Sequence, residues 1–277
     1  MALDPMTTKH SITNALALAQ CSQLAYSDAA DIRNGLPAAV GSPVLDFKIL
    51  NIAHPQTHGF LALFDKAIVL CFQGTKTFEN WLEDGEILLV PFRHIGFIHH
   101  GFRNSFDSVY DEALSTLQQW GKLPGGRTLW ITGHSLGGAL ALVAAAYLRF
   151  PADPTKILPR PIAGLYTFGQ PRVGTHAFCQ ACDANFGITY FRYINNEDIV
   201  TRVPPREIGY WHGGIDEYMD ENGVIHEDPV RWQLFLDRVA VGMAKVRELR
   251  ITRPELEFIK DHAIKLYIEA IEKNLPS

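Results

Sequence analysis

Ser135 stands in the run Gly133-His134-Ser135-Leu136-Gly137. A serine flanked by glycines at this spacing suits nucleophilic attack on a carbonyl carbon. The turn is sharp and strained, and it projects the hydroxyl beyond the end of a strand. Side chains two residues before and after the serine would strike neighbouring backbone, so Gly133 and Gly137 have none. A helix that starts directly after the serine offers free N–H groups and the positive end of its dipole. The N–H of Leu136 is then placed to hold an oxyanion formed at Ser135.

So short a pattern has meaning only between a strand and a helix. Leu129, Trp130, Ile131 and Thr132 read as a buried strand, and Leu136 to Phe150, rich in Ala and Leu, as a buried helix. Gly138 extends the close approach of that helix to the sheet. No charged side chain occurs between Arg127 and Arg149, which is long enough for a membrane span by hydropathy alone. The glycine-rich turn in the middle rules that reading out.

A serine nucleophile needs a base, and there are eleven histidines. His212, His226 and His262 all lie beyond the acid candidates, and His134 sits inside the turn, pointing away from Ser135. Glu197 and Asp198 follow a strand, where ligands meet a parallel sheet. By position alone they read as solvated loop acids, so the residues by themselves leave acid and base open.

Around these groups the chain alternates strand and helix. Ser11 to Tyr26 has apolar residues at helical spacing, with Ser11 or Thr13 as cap. Pro37 to Pro43 reads as loop. Phe47–Ile52, Gly59–Phe64 and Lys66–Phe72 read as strands, the last two joined by a tight antiparallel connection at Phe64-Asp65-Lys66. Ala67 to Phe72 is continuously apolar, as in a strand covered on both faces. Phe78, Trp81 and Leu82 share one face of a short amphipathic segment, with Glu79, Glu83, Asp84 and Glu86 opposite; taken alone this is an ordinary surface helix. Further helices are expected at about Phe102–Trp120, to about Asn185 after the turn at Gly169–Gly174, at Val230–Leu249 and at Ile259–Ile271, where Asp261-His262 opens the helix. Ile162–Phe168 and Ile188–Ile194 read as strands, Pro151–Pro161 as irregular loop, and Tyr210–Tyr218 with Gly223–His226 as a short hairpin turning at Glu221–Gly223. Strand and helix in alternation predict a largely parallel sheet with helices on both faces.

At 277 residues, 47% hydrophobic and 20% charged, the chain suits a single α/β domain over 1–277 with a sizeable core. Residues 1–10 are expected to be a leader and disordered start, with Met6 a second candidate start. Met1 to Met6 lacks a basic start and apolar run, so it does not read as a secretory signal. The cytoplasm and an export route not visible here both stay open. A net charge of −5 excludes nothing but gives no reason to expect a nucleic-acid partner. Cys179 and Cys182 form a C-x-x-C without a second pair, and read as helix-packing thiols rather than a zinc or redox site. Cys21 and Cys71 read as buried thiols.

From about Leu24 to Tyr267 the chain resembles the class 3 lipases, the filamentous-fungal type of triacylglycerol lipase, which also includes feruloyl esterases. Gly-His-Ser-Leu-Gly-Gly-Ala-Leu-Ala from Gly133 is similar to the family's elbow. Thr167 to Gly174 is similar to the block after it, and Tyr193 to Pro205 to its acid-bearing loop. Trp81, Leu82 and Asp84 look like its lid, His100-Gly-Phe102 like the segment after the lid, and Asp261-His262 with Tyr267 like its C-terminal histidine block. Two positions depart: Gln73-Gly74-Thr75 stands where the family has Arg-Gly-Ser or Arg-Gly-Thr, and Gly85 where an apolar residue is common.

The resemblance implies an α/β-hydrolase fold with a short helical lid, Ser135, Asp198 and His262 as catalytic residues, an oxyanion hole at Thr75 and Leu136, and a lid made by Phe78, Trp81 and Leu82. It implies hydrolysis of glycerol esters at an oil–water interface with no cofactor and no metal. Two other functions fit a chain of this kind: a carboxylesterase or feruloyl esterase without interfacial action, and an inactive lipase-like interaction module.

Overall fold

The computed structural model describes residues 2–7, 9–53, 57–75, 87–156, 161–196, 198–226 and 261–276. Helix α1 (Ile12–Leu24) starts at Ser11, whose hydroxyl accepts the Asn14 N–H, a side-chain cap for one orphan donor of the first turn. Helix α2 (Ala29–Val40) starts at Asp28, which accepts the Asp31 N–H, and ends at Gly41 with φ 73°. Its last turn corrects the expected loop over 37–43. Pro37 lies inside the helix without an N–H to give the preceding turn, and the Gly41 N–H closes back on the Pro37 carbonyl.

Strands β1 (Asp46–Ile52), β2 (Thr57–Leu63) and β3 (Ala67–Phe72) form an antiparallel meander. The tight β2–β3 turn is closed by the Phe64 N–H on the Ala67 carbonyl at 2.8 Å. Every residue of β3 is buried. Strands β4 (Leu89–Pro91) and β5 (Phe97–His99) make a separate ribbon. The single helix expected over 102–120 is two, α3 (His100–Asp107) and α4 (Tyr110–Gly121). Ser108 interrupts it: its hydroxyl donates to the Ser105 carbonyl at 2.7 Å, a side-chain bond that competes with the helical ladder.

Next come β6 (Thr128–His134), α5 (Leu136–Arg149), β7 (Ile162–Phe168), α6 (His176–Phe186), β8 (Tyr190–Asn195), β9 (Ile215–Met219), β10 (Ile225–His226) and α7 (Ile264–Lys273). β8 begins two residues later than expected, after a 3-10 turn at Gly187–Thr189. His262 lies in the turn before α7 rather than inside the helix. The expected helix at Val230–Leu249, the lid residues Phe78, Trp81 and Leu82 with their acidic neighbours, and Glu197 lie outside the described residues.

The main sheet has the order β1-β2-β3-β6-β7-β8-β9-β10. β3, β6, β7, β8 and β9 run parallel, and the flanking pairs are antiparallel. This is the α/β-hydrolase arrangement. One face carries α1, α2 and α7, packed through Leu18, Ile32 and Ile271; the other carries α3 to α6, packed through Phe106, Leu117, Val143 and Phe178. Every residue of α5 except Arg149 is buried, so the helix after Ser135 is fixed from all sides. All four cysteines are buried free thiols, and Cys179 and Cys182 pack α6 into the core. Among the described residues no helix is long and apolar enough to cross a membrane.

Candidate active site

The end of β6 makes the turn that the glycines foreshadow. Ser135 takes φ 61° and ψ −130°, a backbone state that L-residues hold only when their surroundings enforce it. A Cβ on Gly133 would lie 2.2 Å from the Gly137 oxygen, and one on Gly137 would lie 2.1 Å from the Phe72 oxygen. Neither position admits a side chain. The Ser135 N–H is held by the Phe168 carbonyl at 2.9 Å, which ties the elbow to the end of β7. The Ser135 hydroxyl is buried and has no hydrogen-bond partner among the described residues. Leu136 is the first residue of α5, so its N–H has no carbonyl one turn back to bond.

The chain leaving β3 runs over this turn. A Cβ on Gly74 would lie 3.0 Å from Ser135 Cβ and 2.7 Å from the His134 oxygen. Thr75 follows it directly. Gln73, where the family pattern has arginine, is fastened from the neighbouring strand: its N–H donates to the His58 carbonyl at 2.9 Å, and its Oε1 accepts the Thr57 hydroxyl at 2.7 Å.

Asp198 follows β8 and is fully buried. Its Oδ1 accepts the Val200 N–H at 2.9 Å, and its Oδ2 accepts both His262 Nδ1 at 2.8 Å and the Tyr267 hydroxyl at 2.5 Å. Burial alone would raise its carboxyl; the neighbouring His262 and the three donated hydrogen bonds outweigh that and hold it below the usual carboxylate value. With Nδ1 donating to the carboxylate, a neutral His262 keeps its lone pair on Nε2, the arrangement a general base needs. Gly169 packs against this pair. It has φ 59°, and a Cβ there would lie 2.8 Å from Asp198 Oδ2 and 2.9 Å from the His262 ring.

Two asparagines clip the histidine segment to the end of β8. Asn195 Nδ2 donates to the Asp261 carbonyl at 2.8 Å, and Asn196 Nδ2 to the Asp261 carboxylate at 3.1 Å. Of the histidines beyond Asp198, His262 meets it. His212 Nε2 bonds the Thr201 carbonyl at 2.6 Å, and His226 Nε2 meets Asp220 at 3.0 Å within its own hairpin. Burial, with Arg192 and Arg172 nearby, pushes His212 well below the ordinary histidine value.

Sequence reasoning had no hold on Tyr26, Thr57, Asn196 or the full role of His134. His134 Nδ1 meets the Tyr26 hydroxyl at 2.8 Å, its Nε2 meets the His262 carbonyl at 2.6 Å, and its ring lies 4.5 Å from that of His262. Tyr267 was visible only as part of the histidine block; the bond to Asp198 was not. Among the described residues no group of three or more His, Cys, Asp or Glu is placed to hold a metal ion.

Comparison with known proteins meets this geometry. The family model described as Lipase (class 3) matches residues 69–208, from β3 through the elbow to the loop of Asp198. A lipase of Rhizomucor miehei is 35% identical over 161 residues, which are 57% of this chain and 43% of that protein. A secreted mono- and diacylglycerol lipase of Fusarium solani is 32% identical over 161 residues, 56% of this chain and 44% of that protein. The chain thus aligns with less than half the length of these curated relatives. A solved lipase from Rhizopus microsporus var. chinensis superposes with a TM-score of 0.64 at 26% identity, covering 80% of this chain and 79% of that one.

Proposed function

The chain belongs to the class 3 lipase family, and on that footing we propose that it hydrolyses carboxylic esters of glycerol through an acyl-enzyme on Ser135, with His262 as base and Asp198 behind it. The observation that carries this reading is the 2.8 Å bond from His262 Nδ1 to a buried Asp198 whose carboxyl is held ionised. A carboxylate there fixes the imidazole tautomer and stabilises the imidazolium.

Ser135 Oγ attacks the ester carbonyl while His262 Nε2 takes its proton. The carbonyl electron pair moves to oxygen, and the N–H groups of Leu136 and Thr75 stabilise that oxyanion; removal of one such donor typically costs about 2.7–4 kcal/mol of barrier. The tetrahedral species then collapses. The bond to the alkoxy oxygen breaks, His262 returns its proton to the leaving alcohol, and Ser135 is left acylated. Water, deprotonated by the same ring, attacks the acyl carbon and frees the acid and the serine. The steps need neither metal nor organic cofactor.

The glyceride substrate rests on the named activity of a relative, a mono- and diacylglycerol lipase. The interface rests on the helical spacing of Phe78, Trp81 and Leu82 in the sequence, residues that as a lid would cover the acyl pocket in water and turn outward on oil. A series of nitrophenyl esters of increasing chain length, with and without emulsion, tests this. Rates that persist on long chains and rise at the emulsion support a lipase. A steep fall beyond short chains, with no interfacial gain, replaces it with a carboxylesterase of the same family.

A further inference from the structure

The hydrogen bonds of His134 can be read in one direction only. The His262 backbone carbonyl accepts and cannot donate, so His134 Nε2, 2.6 Å away, carries the proton. The ring is buried beside His262, and burial first, then the neighbouring imidazole, pushes its pKa down to about 3. It is therefore neutral, and Nδ1 holds a lone pair. The Tyr26 hydroxyl at 2.8 Å must then donate to Nδ1. That leaves the phenol oxygen lying against the backbone of Gly74. Gly74 has no room for anything else: a Cβ there would lie 2.3 Å from the Tyr26 oxygen. The result is a one-way series running from the Tyr26 hydroxyl, seated against Gly74, through His134 to the carbonyl of His262.

The two ends of this series matter. Gly74 precedes Thr75, an oxyanion donor in the proposed mechanism, and lies against Ser135 Cβ. His262 is the proposed base. Tyr26 lies in the turn just after α1, far from both in sequence, and no motif marks it. Resting on the acyl-transfer reading above, we propose that Tyr26 and His134 are positioning residues that lock the oxyanion loop and the base of this site into register with each other. Bonds in such a series polarise one another, so the pair acts as a unit. Small misplacements at either end reach the transition state, where geometry counts most.

The test is steady-state hydrolysis of a short-chain nitrophenyl ester in solution by Tyr26→Phe, His134→Gln and the double variant. Gln keeps an N–H for the His262 carbonyl while losing the ring nitrogen that Tyr26 serves. The proposal expects Tyr26→Phe to lower kcat about tenfold with KM within about twofold, and expects the double variant to be no slower than the slower single. His134→Phe, which loses both bonds, should be slower than His134→Gln. Unchanged kcat in Tyr26→Phe, losses that multiply in the double variant, or a rise in KM at constant kcat would each overturn it. If the His134 variants fail to fold, Tyr26→Phe alone decides, since it removes a single oxygen and its KM-against-kcat split is readable. Labelling of the unaltered protein by a fluorophosphonate keeps the two readings apart. Failure to label Ser135 defeats acyl transfer itself, whereas a labelled protein with an insensitive Tyr26→Phe defeats this proposal only.

Discussion

The hydroxyl of Tyr267 donates to Oδ2 of Asp198, the same oxygen that receives His262 Nδ1. The phenol thus lies behind the acid of the site as the acid lies behind the base. Hydrogen bonds to charged groups contribute about 1.5–3 kcal/mol, and the Tyr267 oxygen also accepts the Asn195 N–H at 3.1 Å. Tyr267→Phe should therefore lower both Tm and kcat. It should also move acid unfolding to higher pH. The folded carboxyl of Asp198 lies below its ordinary value, so its stabilisation is complete above about pH 4 and is lost as pH falls through the lower folded value. Without the phenol that loss begins earlier. Urea midpoints at pH 7 and across the acid limb check this; an unshifted acid limb would count against it.

Gly169 separates activity from folding. A methyl group there meets Asp198 Oδ2 and the His262 ring, at φ 59°. Gly169→Ala should depress ester turnover far more than stability, because the Asp198–His262 pair must move to admit it. Gly133→Ala and Gly137→Ala meet backbone rather than side chains, and should cost about 3 kcal/mol or more in stability. Thermal unfolding beside kcat in the three variants checks the contrast. Equal Tm losses at all three would contradict it.

These positions also mark how much could be read in advance. The elbow was legible because its strand, turn and helix are contiguous, and the glycines report steric facts local to Ser135. The parallel sheet followed from the same local alternation. Pro37 misled because a proline can sit inside a helix near its end, with Gly41 as the actual stop, and Ser108 split α3 from α4 through a hydroxyl bond that hydrophobic spacing does not record. Tyr26 escaped because its partner His134 is 108 residues away. Asn196 and Asp261, 65 residues apart, share the same difficulty. The acid and the base were separable from Glu197 and His212 only through family likeness.

Histidines held neutral inside the protein set its response to mild acid. Burial pushes His134 down to about 3 and His99 to about 4, in the latter with His100 contributing. The unfolded chain takes up these protons near pH 6.5, while the folded chain refuses them until much lower pH. Stability from each ring is therefore complete above about 6.5 and falls at about 1.4 kcal/mol per pH unit below it. Unfolding midpoints at pH 7, 6 and 5 should decline steadily. A constant midpoint over that interval would contradict the assignment.

Thr57 is expected to support the oxyanion loop through Gln73. Its hydroxyl donates to Gln73 Oε1 at 2.7 Å, the position where the family pattern has arginine. Thr57→Val keeps the shape and removes the donor, and should cost about 1 kcal/mol, read as a severalfold fall in kcat at nearly constant KM. An unchanged kcat would leave Gln73 without that role.

The central claim is that Ser135 is the nucleophile and His262 its base. Labelling with a fluorophosphonate, read by peptide mass spectrometry in the unaltered protein and in His262→Ala, tests it most directly. The predicted result is one adduct on Ser135 that all but disappears in His262→Ala. An adduct elsewhere, or undiminished labelling and ester turnover without His262, would contradict it.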